Sequence, residues 1–161
     1  MCPDYHESML LSNQLCFPLY AAARTVTGLY TPLLKPLGLT YTQYIVLLVL
    51  WEKDGVSVTE IGKRLRLDNG TLSPLLKKLE RAGYVERQRS REDDRVVVIT
   101  LTEAGRDLQE QVRDIPVRVG SCIALSPEKA QQLYGLLYEL LENQDHGATK
   151  QKEDAHHENS L

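Results

Sequence analysis

Apolar positions in this chain change period along its length, and each change marks a different element. Across residues 68–83, Leu72, Leu75, Leu76 and Leu79 recur at helical spacing, with Asp68 placed to cap the helix and Gly83 where a left-handed stop is expected. Lys77, Lys78 and Arg81 fall on the opposite face. Residues 84–89 and 96–101 then alternate or run apolar as two strands do, around a polar turn of Ser90, Arg91, Glu92, Asp93 and Asp94. Just upstream, Ser57 and Glu60 make a capping box for a short helix over Val58–Leu65. Two short helices joined by a tight turn and followed by a charged hairpin predict a helix-turn-helix with a β-wing.

The flanks are helical. Residues 13–30 predict a first helix that stops near Thr31 and Pro32, and Thr40 with Gln43 predicts a capped second helix running to Trp51 or Glu52. Thr102 and Glu103 open a further helix over 103–119, and Ser126 with Pro127 starts the last over 127–142. The expected fold class is α+β, mainly α. A winged helix-turn-helix at 40–102 is joined to a helical dimerisation region at 10–36 and 103–143, and a polar tail at 144–161 is expected to be disordered. Leu15, Leu19, Val26, Leu133, Leu136 and Leu140 belong to an apolar surplus beyond what a small winged domain buries in its own core. That surplus predicts a homodimer with two reading heads about one DNA turn apart.

In such a unit the second helix enters the major groove, so Thr71, Ser73, Lys77 and Lys78 are the candidate contacts there. Arg87, Arg89, Arg91 and Arg95 belong to the wing, and Arg95, just beyond the turn, suits the negative potential of an adjacent minor groove. Basic residues on one helix face are most often a solvated surface. The conjunction of two capped helices, a basic face and a basic hairpin favours double-stranded DNA, as a roughly palindromic operator. A net charge of −3 argues the other way until its distribution is considered: the cations cluster at the helix and wing, and the acids collect near the N-terminus and in the C-terminal third.

A chain of 161 residues with 42% hydrophobic content carries one ordinary core. Its most apolar segment, 44–51, is too short to span a bilayer and no export signal opens the chain, so a cytoplasmic protein with no membrane partner is expected. His146, His156 and His157 lie in the tail without ligand spacing, and no glycine-rich phosphate loop is present; neither a metal, a cofactor nor an enzymatic activity is expected.

Cysteines at 2, 16 and 122 have no C-x-x-C spacing, which sets aside a structural zinc site. Cys16 falls in the first turn of the first helix, where free amide N–H groups and the helix dipole favour an anionic sulfur, the form that attacks a peroxide. Tyr30 shares that helix face but stands roughly 21 Å away along the axis. Were two such helices to cross antiparallel at a dimer axis, Cys16 of one would meet Tyr30 of the other, with Tyr41 beside it as a second hydroxyl. A small buried thiol among packing tyrosines is the plainer alternative.

The segment LDNGTLSPLLKKLERAGYVERQRSREDDRVVVITLTEAG resembles the winged helix-turn-helix of the MarR family of bacterial regulators, and the likeness covers nearly the whole chain. Asp93 and Arg95 match that family's D-x-R element, which implies an Asp that orients the wing and an Arg that enters the minor groove. The segment NQLCFPLYAAARTVTGLYTPLLKPLGLTYTQYIVLLVLWE is similar to the sensor half of the organic-hydroperoxide-resistance branch. The resemblance implies a peroxidatic Cys16, bonded by Tyr30 and Tyr41, and a resolving Cys122 contributed by the other subunit; Cys2 has no counterpart. The implied function is a repressor that releases its operator when an organic hydroperoxide oxidises Cys16. Control by a small phenolic ligand, and a redox-responsive activator or global regulator, are the alternatives.

Overall fold

The computed structural model of the protein describes the backbone of residues 5–90 and 93–158, and the side chains of residues 7–90 and 93–143. Cys2, Arg91, His146, His156 and His157 lie outside the described side chains. The chain divides into two compact units, Met1–Cys122 and Ile123–Leu161.

In the first unit, α1 (Tyr5–Ser8) and a single 3-10 turn (Leu11–Asn13) precede α2 (Cys16–Leu34). α2 runs through Pro32, beyond the stop expected near Thr31 and Pro32. This close to the helix end the proline forgoes one backbone bond, to the carbonyl of Gly28, and the chain carries on into a 3-10 turn (Lys35–Leu37) closed by Gly38 at φ +69°. α3 (Tyr41–Glu52) starts in the expected capping box: Gln43 N–H donates to Thr40 Oγ1 at 3.3 Å, and Thr40 N–H donates to Gln43 Oε1 at 2.9 Å. Tyr44, Val46, Leu47, Val49 and Leu50 are all buried, so α3 is the central core helix of the unit. Among the described residues no single helix is long and apolar enough to cross a membrane.

β1 (Val56–Ser57), α4 (Val58–Leu65), α5 (Asn69–Arg81), β2 (Val85–Arg89) and β3 (Val97–Leu101) follow. Ser57 accepts from Glu60 N–H at 3.2 Å, one half of the expected capping box. Arg66 in the left-handed region at φ 54° turns α4 into α5, and Gly83 at φ 78° turns α5 into the wing. β1, not foreseen from the sequence, adds a third strand: the antiparallel order is β1–β3–β2, with Val56 opposite Ile99, Val85 opposite Leu101 and Arg89 opposite Val97. Leu72, Leu76 and Leu79 of α5 are fully buried, as are Ile61 and Ile99 beneath them.

Where one helix was expected over 103–119, two are found: α6 (Glu103–Val112) and α7 (Ile115–Cys122). Pro116 explains the break. It has no N–H for the Val112 carbonyl and its ring would collide there, whereas in the first turn of a new helix neither matters. α7 packs back on α2.

The second unit is α8 (Pro127–Glu158), capped by Ser126, which accepts from Lys129 N–H at 3.4 Å. Its backbone stays helical past residue 143, where a disordered tail was expected; Gln, Lys, Glu and Ala recur there and no proline intervenes, so helix propensity carries the turn onward. Leu133, Leu136 and Leu140 on α8 are exposed.

Gly105 is where α6, β2 and α3 converge. A Cβ there would lie 2.0 Å from the Tyr84 carbonyl oxygen, while Gly105 O accepts from Trp51 Nε1 at 2.9 Å and Gly105 N–H donates to Thr102 Oγ1 at 3.0 Å. Gly105→Ala should therefore cost more than about 3 kcal/mol in urea unfolding, because backbone rather than a movable side chain stands in the way. A parent-like unfolding midpoint would contradict this packing.

Candidate DNA interface and redox site

Capping fixes α5, the candidate reading helix, before any contact with a ligand. Asp68 Oδ1 accepts from Thr71 N–H at 2.9 Å, and Thr71 Oγ1 donates to Asp68 Oδ2 at 2.8 Å. These bonds from Thr71 hold the Asp68 carboxyl below its usual range, so it is charged at neutral pH and its charge is directed into the helix start. Thr71, Lys77 and Lys78 are exposed on α5 and Ser73 is half-buried. The sequence therefore places these four residues correctly on one helix, but Thr71 already spends its hydroxyl proton on the cap. Pro74 inside α5 escaped sequence reasoning. Its missing N–H leaves the Gly70 carbonyl without its helical donor, in the first turn of the reading helix.

The wing is closed by Ser90 N–H donating to Val96 O at 2.8 Å and by Val96 N–H donating to Asp93 O at 2.9 Å. Asp93 then takes three bonds from Arg95: backbone N–H at 2.9 Å, Nε at 3.1 Å and a terminal guanidinium nitrogen at 3.2 Å. Led by the Arg95 side chain, these hold the Asp93 carboxyl below its usual range. The fork aims a guanidinium outward: Arg95 is 90% exposed at its side chain and Asp93 only 40%. On β2, Arg89 is exposed and Arg87 half-buried, with a buried Nε that has no hydrogen-bond partner among the described residues. Arg91 lies outside the described residues.

Cys16 is the first residue of α2 and Cys122 the last of α7, and both are exposed free thiols. The structure does not bring Cys16 to Tyr30 within one chain, since both sit on α2 about 21 Å apart along its axis. It does bring the tyrosines together. The rings of Tyr30 and Tyr41 stand 4.9 Å apart, and Tyr44, missed in the sequence, stacks 5.7 Å from Tyr30 and 6.3 Å from Trp51. Its signal was the Tyr41–Tyr44 spacing on a capped helix. Burial, then the neighbouring Tyr30, pushes the Tyr41 phenol up; burial, Tyr30 and Tyr41 do the same at Tyr44. Both phenols therefore keep their protons at neutral pH and remain hydrogen-bond donors. Beside Tyr41 opens a groove of about 440 Å³ lined by Arg24, Thr27, Gly28, Thr31 and Thr42.

This arrangement, a capped reading helix beside a three-stranded wing, is that of the winged-helix DNA-binding regulators. Residues 28–112 match the model of the transcriptional regulator SarA/Rot family. The chain is 48% identical over 136 residues to the organic hydroperoxide resistance transcriptional regulator of Bacillus subtilis, covering 84% of this chain and 92% of that one. Among solved structures it is similar to reduced AbfR bound to DNA (TM-score 0.74, 38% identity, 87% of this chain and 96% of that one). Disulfide-formed AbfR is a looser match (TM-score 0.56, 39% identity, 84% and 96%); AbfR is a Staphylococcus epidermidis protein. The chain belongs to the MarR- and SarA-type winged-helix transcriptional regulators, in the branch of the organic hydroperoxide resistance regulators. It is a redox-sensing DNA-binding regulator and not an enzyme.

Replacing Arg95 with Ala should weaken operator binding and lower the slope of log affinity against log salt by about one unit per subunit. Asp93→Ala, which leaves the guanidinium but frees it, should fall between that variant and the parent. The fork also sets a pH expectation. A carboxyl with a lowered pKa gives its contribution fully above its unfolded value, about pH 4, and loses it only as pH falls further. The affinity difference between the parent and Asp93→Ala should thus stay constant from pH 8 to 5, and a difference that disappears by pH 6 would contradict the assignment.

Proposed function

We propose that Cys16 is the peroxidatic cysteine of a homodimeric, cytoplasmic repressor, and that Tyr30 and Tyr41 of the partner subunit receive it. The observation that carries this reading is the Tyr30–Tyr41 pair, two phenol rings with centroids 4.9 Å apart, beside an open groove of about 440 Å³. Cys16 of the same chain is a helix length away, so an exposed sulfur from a second copy is the natural occupant. Met9, Leu10, Leu11, Leu15 and Phe17 around Cys16 are exposed apolar residues, as are Leu133, Leu136 and Leu140 on α8, which supports burial of both sets in a dimer.

The chemistry needs only the hydroperoxide. The Cys16 thiolate attacks the peroxide's distal oxygen, the O–O bond breaks, an S–O bond forms, and an alcohol leaves after taking a proton. The Cys122 thiolate of the other subunit then attacks the sulfenic sulfur, a disulfide forms and water departs. Drawing α2 and α7 of opposite subunits together shifts the spacing of two reading heads that must match one turn of a roughly palindromic operator. A loss of about 3 kcal/mol in that fit lowers affinity roughly a hundredfold. At the operator, Thr71, Ser73, Lys77 and Lys78 face the major groove, and Arg87, Arg89, Arg91 and Arg95 serve the wing.

A second reading has one specific support. A cavity of about 400 Å³ between α3 and the α6–α7 break is lined by Tyr44, Leu48, Trp51, Val112, Arg113 and Pro116, and would suit a small phenolic ligand. Operator binding that ignores hydroperoxide would favour it.

Cys16→Ser should keep full operator affinity and lose release by organic hydroperoxide. Release that persists in this variant removes Cys16 from the sensor. After stoichiometric hydroperoxide, a non-reducing gel should show a disulfide-linked dimer from the parent but from neither Cys16→Ser nor Cys122→Ser. A parent that stays monomeric on the gel while letting go of DNA would replace Cys122 by capping with a small thiol.

A further inference from the structure

β1 pairs with β3 through Val56 opposite Ile99 and Ser57 opposite Val98, and continuing that register brings residue 54 opposite Leu101. There the chain has left the strand, and a side chain makes the next rung. Asp54 Oδ1 accepts from Leu101 N–H at 2.8 Å and from Gly55 N–H at 2.8 Å, while Oδ2 accepts from the Arg106 guanidinium at 2.8 Å. One carboxylate thus ties the end of α3 to the last residue of β3 and to α6. β3 is the wing strand that leads directly from Arg95. Two other bonds hold the same end of α3: Trp51 Nε1 donates to Gly105 O of α6, and Glu52 pairs with Arg64 of α4. Burial opposes a charge on Asp54, yet the Leu101 N–H, the Arg106 guanidinium and the Gly55 N–H together hold its carboxyl below the usual range.

We propose that Asp54 is a positioning residue: it fixes the wing relative to α3, so that the helix carrying Tyr41 and Tyr44 sets where Arg95 meets DNA. Asp54 touches neither the sulfur nor the operator. It converts a displacement of α3 into a displacement of the wing, because β3 cannot slide past α3 without breaking a three-donor carboxylate. The coupling to α3 rests on the sensor reading above; the hold on the wing does not.

The test uses full-length, reduced Asp54→Ala, Asp54→Asn, Arg95→Ala and the double variant Asp54→Ala/Arg95→Ala, with operator affinity measured across salt. Asp54→Ala should bind about tenfold more weakly, with a salt slope lower by about one unit per subunit. The double variant should bind no worse than Arg95→Ala, because both substitutions remove the same wing contact. Asp54→Asn keeps an Oδ1 acceptor for both backbone N–H groups and should recover most of the affinity. Losses that multiply in the double variant, or an unchanged salt slope, overturn the proposal. If Asp54→Ala does not fold, Asp54→Leu, which likewise removes the acceptor for the Leu101 N–H but keeps the side-chain volume, takes its place in the same cycle. With hydroperoxide added, Asp54→Ala should be oxidised at Cys16 at the parent's rate while its ratio of reduced to oxidised affinity falls about tenfold; an unchanged ratio overturns the coupling. A parent that hydroperoxide fails to release sinks the sensor reading and the coupling with it, but leaves the wing positioning to the reduced-state cycle.

Discussion

The C-terminal end of α3 is held by Gly105, by Arg64 and by Leu101 at once, three partners on three different elements, and the elements that read DNA are placed by reference to it. Its body leaves no room to slide. Tyr44, Leu47 and Leu50 are almost wholly buried, and each such side chain is worth about 1.5–3 kcal/mol relative to exposure. A helix so embedded moves as a rigid piece or not at all. Its other end carries Tyr41 and Tyr44 against Tyr30 of α2. Twelve residues therefore join the candidate redox site to the reading head without a hinge between them.

Electrostatics at the reading surface follow a consistent arrangement. The whole chain carries a net charge of −3, and two of its acids, Asp68 and Asp93, sit at the reading helix and the wing tip where phosphates would approach. Each is committed to local donors: Asp68 to the N–H and hydroxyl of Thr71, Asp93 to the guanidinium and N–H of Arg95. Their charge is spent on shaping a helix start and a guanidinium fork, and Lys77, Lys78 and Arg95 remain as exposed cations, the proposed contacts to the nucleic acid. The acids thus build the cationic surface they seem, by simple count, to oppose.

What was legible in the sequence was local. Asp68, Thr40, Ser126 and Thr102 announce helix starts through bonds spanning three residues, and Gly83 announces the turn into the wing; all of these hold in the structure. Misreadings arose where a single residue outweighed a pattern. Pro116 splits an otherwise continuous apolar period into α6 and α7, whereas Pro32, near a helix end, fails to stop α2. β1 is two residues long and exists only because β3 offers it an edge, so no period could reveal it. Asp54 carries no local signal, because its partners Leu101 and Arg106 lie 47 and 52 residues further along the chain. The tyrosine cluster was half visible: helical spacing gave Tyr30 and the capped start of the second helix gave Tyr41, while the packing of α2 on α3 brings Tyr44 to them.

On the proposed function, the oxidation state of the Cys16 sulfur sets the grip on DNA. Its most direct test follows a single organic hydroperoxide titration with two readouts on the same samples: intact-mass analysis for the fraction of Cys16 oxidised, and fluorescence anisotropy for the fraction of operator bound. The two curves should mirror each other throughout, with release complete when Cys16 is fully converted. Operator lost while Cys16 is still a thiol, or retained after Cys16 is wholly oxidised, would contradict the account.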